Sequence, residues 1–234
     1  MSIFLELAYI PCLAHNVQLV IKDGLKLNND YERLINHVSK DIVSKSKCSL
    51  VIAEELRKFN KKLNKKNVTR WNSVLFMIRS VLKLTPEEMK KIRQEMPTKT
   101  SEQREIKSKF DLSYIDRLKL QELKDLLEMF EFVTDELQSN RINISRVYPA
   151  ITFLSNKLEE DDENKFEYTR TIRKEMLLSL NKRFKDLIKE DVFIVSTFLD
   201  PNFGLNYFET DKQEGVKARL LSLLKRDLAV NQVI

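Results

Sequence analysis

Glycine is nearly missing from this chain: three in 234 residues, alongside five prolines, two cysteines, two histidines and one tryptophan. Neither Gly-x-Gly-x-x-Gly nor Gly-Lys-Ser/Thr occurs. Enzymes that close backbone N–H groups round a nucleotide phosphate are therefore excluded. So few glycines and prolines also leave little material for tight turns, which favours helices over a many-stranded sheet. Cys12 and Cys48 are too few for a disulfide framework, and Met1-Ser2-Ile3-Phe4 with its early Glu6 does not read as a secretory leader, so a reducing intracellular compartment is expected. Every apolar run is broken by charge, as at Lys189-Glu190-Asp191, before the ~18 residues that a membrane span needs. A soluble protein with no membrane partner follows as the expectation.

What is present is a globular composition, 42% hydrophobic and 32% charged, with a net charge of +6. The positive charge is local. Residues 1–83 hold 15 Lys and Arg against 7 Asp and Glu, whereas residues 84–234 hold 26 against 28. The densest stretch contains Arg57, Lys58, Lys61, Lys62, Lys65, Lys66 and Arg70 with no acidic residue between them. Such a run suits a polyanion such as nucleic acid, and equally a solvated face that keeps the protein in solution. Trp71 follows it directly. An indole beside cations can stack on an unpaired base, and it can also open the core face of a helix.

Apolar spacing predicts helices along most of the chain. A short helix runs from Leu13 and ends loosely at Gly24. Tyr31, Leu34, Ile35, Val38, Ile42 and Val43 keep the i, i+3, i+4 rhythm, and Leu50 to Phe59 repeats it. Trp71, Val74, Leu75, Ile78, Val81 and Leu82 form a further face, and Thr85-Pro86-Glu87-Glu88 supplies a cap, a proline at N1 and early acids. Residues 97–113, poor in apolar side chains, read as an exposed loop or linker between two helical lobes. Long helices are expected over Leu123–Leu137, Val147–Leu158 and Phe166–Leu187, with a break at Asp161–Asn164. A short apolar segment from Val192 to Leu199 stops at Asp200-Pro201.

Candidates for catalysis and metal binding are few. Cys12 and His15, three apart, supply half of a zinc site, but His37 and Cys48 are eleven apart and do not complete it. A Cys/His nucleophile pair would need a third, orienting group that the sequence does not identify. The run Glu159 to Glu163 lacks the glycine and alternating ligands of a calcium loop and reads as solvated. No metal and no cofactor are expected.

Three motifs, in order, carry a resemblance. Cys12-Leu13-Ala14-His15, with Asn16 to Gly24 behind it, resembles the C-x-x-H segment of hAT transposases and of host proteins derived from them, including BED-type zinc-finger proteins. Thr69-Arg70-Trp71-Asn72-Ser73 is similar to the family's T-R-W-N-S motif, and Phe198-Leu199-Asp200-Pro201-Asn202-Phe203 to its L-D-P-R-F-K motif. The resemblance implies a mainly α chain, the helical insertion domain of a hAT transposase with remnants of an RNase H-like core at the two ends. Residues 1–27 would be one core remnant, 28–205 the all-helical insertion and 206–234 a tail leading back to the core. It implies action on DNA in the nucleus, with Arg70 and Trp71 contacting a flipped base or hairpin end, and Cys12 and His15 near the active-site surface.

The family cuts DNA with three acidic residues that hold divalent ions. The first two would precede Cys12, where Glu6 is the sole acid, and the third would lie well after Pro201. The chain is therefore expected to be catalytically incomplete, and to lack the family's BED finger and C-terminal dimerisation segment. Asn202 and Gly204 stand where the family motif has Arg and Lys, so the resemblance does not carry over a phosphate contact there. Two other readings remain open: a helical module binding a protein partner, and a truncated copy of an active transposase.

Overall fold

The computed structural model describes residues 11–26, 28–67, 71–138, 144–160 and 167–231, with side chains described as far as residue 225. The protein is mainly helical, and no strand occurs among the described residues. The helices are α1 (Leu13–Lys26), α2 (Asn29–His37), α3 (Lys45–Cys48), α4 (Leu50–Lys58), α5 (Asn72–Leu82), α6 (Pro86–Glu95), α7 (Ser101–Lys109), α8 (Tyr114–Gln138), α9 (Val147–Glu159), α10 (Arg170–Phe184), α11 (Asp191–Leu199) and α12 (Thr210–Asn231). Among the described residues no helix is long and apolar enough to cross a membrane. The chain divides into two compact units, the first formed by Gln18–Glu131 and Asp161–Met176, the second by Met1–Val17, Phe132–Glu160 and Leu177–Ile234.

In the first unit a seven-residue π-helical segment, Val38–Ser44, continues from α2 and is contacted by α2, α3, α5 and α7. The sequence periodicity reads through this stretch as one helix. The wider coil arises where Val38, Ile42 and Val43 are all fully buried, and Ser44 donates its hydroxyl to the Ser39 carbonyl at 2.8 Å to satisfy part of the altered ladder. Helix α6 starts as its cap predicts, with Thr85 and Glu88 closing a capping box and Pro86 in the first turn.

Three expectations are corrected. Residues 97–113 are not a linker: Thr100 and Gln103 close a second capping box, and α7 runs from Ser101 to Lys109. None of its residues is buried, so apolar spacing carries no trace of it. Caps and the Glu105–Lys109 ion pair at 2.6 Å define it instead. Helix α1 does not end at Gly24 but continues to Lys26, because Gly24 lies against α10, where a side chain would meet Met176 and the Ile172 carbonyl. The third is Phe166–Leu187: α10 starts at Arg170 and ends at Phe184, and Leu187 opens a separate 3-10 turn. Phe166 and the break at Asp161–Asn164 lie outside the described residues.

In the second unit Ile194, Phe208 and Val216 form a buried cluster, with Tyr148, Phe198, Leu205 and Tyr207 packed against them. Aromatic rings fill it, Phe203 edge to face against Tyr207 at 5.5 Å and Tyr148 tilted against Phe208 at 5.3 Å. The turn Ile144–Arg146 packs on both α9 and α11.

Candidate nucleic-acid interface

Helix α4 ends on Asn60, whose φ of 53° is a left-handed conformation that asparagine tolerates. The Lys61 N–H returns to the Leu56 carbonyl at 2.8 Å and the Asn60 N–H to that of Arg57 at 2.9 Å, which closes a Schellman cap. From there the chain runs without regular structure to Asn67, fastened along α5. The Asn64 N–H donates to Ser80 Oγ at 2.9 Å, and the Asn64 side-chain amide to the Phe76 carbonyl at 3.4 Å. Asn67 both donates to and accepts from Ser73 Oγ at 2.8 Å. Leu63 is buried beneath the segment. Ser73 of the T-R-W-N-S motif thus pins the end of the lysine run to the start of α5.

This scaffold divides the seven cations. Lys58 pairs with Glu55, which raises the ammonium above its ordinary range. Lys61 pairs with Glu88 and also donates to the Lys83 carbonyl. That pairing, together with the Thr85 backbone N–H, holds the Glu88 carboxyl below its ordinary range. Lys66 reaches Asn36 Oδ1 at 3.5 Å. Arg57, Lys62 and Lys65 are exposed and make no ion pair among the described residues. Arg70, with Val68 and Thr69, lies outside the described residues.

Trp71 is half-buried and has helical backbone angles. It precedes Leu75 by four positions and Ile78 by seven, and both are fully buried, so the indole belongs to the core-facing line of α5. The buried Asn72 Oδ1 has no hydrogen-bond partner among the described residues. The sequence reading missed Phe76, 44% exposed, and Lys83, also exposed. The available signal was an aromatic lying off the apolar stripe of its own helix.

The other motif residues sit elsewhere. Cys12, just before α1, and His15, in its first turn, are both exposed, and among the described residues no three His, Cys, Asp or Glu side chains gather to hold a metal. His37 contacts Asp41 at 3.0 Å and the Asp111 carbonyl at 2.9 Å, a tie within the first unit. Asp200 is buried; its carboxylate accepts from the Ser145 hydroxyl and from the Asn202 backbone and side chain at 2.9 and 2.8 Å. Pro201 is exposed in the turn that follows. Gly204 has φ 60° and ψ −163°, a conformation essentially restricted to glycine, so a side chain there would be strained.

The hydrogen bonds to Asp200, that from Ser145 foremost, hold its carboxyl below the ordinary aspartate range. A depressed folded-state value contributes stability at pH above the unfolded value of about 3.9 and loses it as pH falls through the folded value. Asp200→Asn should therefore be less stable than the parent at neutral pH, with the gap closing below about pH 4. Urea titrations at a series of pH values check this; a gap independent of pH would contradict it.

No family model, curated protein or solved structure matches this chain.

Proposed function

We propose that this protein is a nucleic-acid-binding relative of the hAT transposases. In this reading residues 28–205 correspond to the family's helical insertion domain, 1–27 and 206–234 belong to its RNase H-like core, and the protein acts on DNA in the nucleus. The order of the three motifs supports the family, and the mainly helical chain agrees with an insertion domain. The observation that carries the function is the segment Lys61–Asn67, bound along α5 while Lys62 and Lys65, with Arg57 before them, remain exposed and without carboxylate partners among the described residues. Self-neutralised cations contribute little to phosphate binding, because an existing pair must first be broken. Arg57, Lys62 and Lys65 alone supply about three contacts.

Three phosphate contacts correspond to a slope near −2.7 for log affinity against log salt on duplex DNA, a fall of roughly 40-fold between 50 and 200 mM. Fluorescence anisotropy with a labelled duplex measures it. Charge reversal at Lys62 and Lys65 should weaken binding and flatten the slope by about two contacts, whereas Lys58→Ala should change neither much. An affinity indifferent to salt would remove this reading. A protein-interaction module is the second reading, favoured by Leu221 and Leu224, both at least half exposed on α12. Leu221→Asp with Leu224→Asp would then abolish partner capture and leave any DNA binding intact.

A further inference from the structure

Resting on the nucleic-acid reading, we propose that the surface along α5 takes a single-stranded polynucleotide, with Phe76 as the platform on which an unpaired base stacks. Ser73 and Ser80, seven residues apart on one face of α5, hold the extended segment. Phe76 lies between them on the same side, three after Ser73 and four before Ser80, and its own carbonyl accepts from Asn64. The ring therefore emerges beside the segment that carries Lys62 and Lys65. Lys83, seven positions beyond Phe76 and about 10 Å along the helix axis, adds an exposed cation on that face.

The neighbouring face gives the surface a boundary. Arg79, three residues after Phe76, is forked between Glu128 at 2.9 Å and Glu131 at 2.7 Å. Its guanidinium is occupied, and the two carboxylates repel phosphate. A phosphodiester chain is thus confined to the lysine side, with Phe76 at the border between the cations and the acids. An intact duplex keeps its bases paired and offers this ring nothing to stack on. A single strand offers one, and base–aromatic stacking tolerates any base. Trp71 precedes α5 and is half-buried, which leaves Phe76 as the exposed ring among the described residues of α5.

The test measures oligo-dT, oligo-rU and a blunt DNA duplex of equal length against the parent chain, Phe76→Ala, Phe76→Tyr and Lys83→Ala, after circular dichroism has shown each to be folded. Phe76→Ala should lose about tenfold on both single strands and nothing on the duplex, and Phe76→Tyr should retain parent affinity because the ring remains. Lys83→Ala should weaken all three ligands alike. Equal loss on oligo-dT and oligo-rU identifies the base and phosphate as the shared ligand, and loss on one alone assigns the site to that polymer. If the parent binds single strands and Phe76→Ala binds them equally well, the stacking assignment is overturned while the nucleic-acid reading survives. If the parent binds none of the three, both fall together.

Discussion

Replacing Glu122 with alanine is expected to lower the unfolding free energy by about 2–4 kcal/mol, because one carboxylate closes the start of another helix. Glu122 Oε2, on α8, accepts from the backbone N–H groups of Tyr168 and Thr169, each at 2.9 Å, and from the Thr169 hydroxyl at 3.1 Å. These donors stand immediately before α10. The first N–H groups of a helix have no partner within it, and the carboxylate also meets the positive end of the helix dipole. Thr169 is fully buried, so water cannot replace the lost acceptor without opening the packing. The same region holds the buried Tyr31, whose hydroxyl donates to the Lys119 carbonyl at 3.3 Å and is pushed well above its ordinary pKa by burial and then by the Glu122 charge. Glu122→Gln keeps an oxygen acceptor and should cost less than half as much as alanine. Urea unfolding followed by circular dichroism separates the variants; an alanine variant as stable as the parent would mean that the carboxylate is dispensable.

Gly24→Val should destabilise by about 2–3 kcal/mol, although removing glycine from a helix interior ordinarily helps. A Cβ at this position would collide with Met176 Cγ and stand 3.1 Å from its methyl and 3.2 Å from the Ile172 carbonyl. The methionine can bend aside, but the carbonyl belongs to the backbone of α10, so the helices must separate. Gly24→Ala should show a smaller loss of about 1–2 kcal/mol, since it meets the same atoms with one methyl and gains helix propensity. Truncating Met176 to alanine in the Gly24→Ala background should then cost less than the two separate losses combined. Additive losses would show that the clash is relieved elsewhere.

These two positions mark where the sequence was legible and where it was not. Gly24 reads locally as a helix end because glycine is the commonest residue after a final turn; only contact with a segment about 150 residues away shows that it sits inside one. Helix α7 was hidden for the opposite reason. None of its residues is fully buried, and its caps rather than its apolar spacing announce it. The cap at Thr85 was readable because proline and paired acids accompany it, whereas Thr100-x-x-Gln103 has no such company. The run from Arg57 to Arg70 was visible as charge, but nothing in its composition distinguished Lys61, paired with a glutamate 27 positions on, from Lys62, which is exposed and makes no ion pair among the described residues.

The sequence by itself determined that this protein is helical, where α5, α6, α9 and most of α8 lie, and that no glycine-rich phosphate loop exists. Those outcomes rest on interactions within about four residues, and a one-dimensional pattern records them fully. Tertiary structure alone decided which cations face solvent, that Phe76 is left exposed, and that Asp200 of the L-D-P motif ties a turn to Ser145. Those outcomes depend on which distant segments pack together. Burial and pairing are properties of a surface, and a surface exists only once the chain has closed on itself.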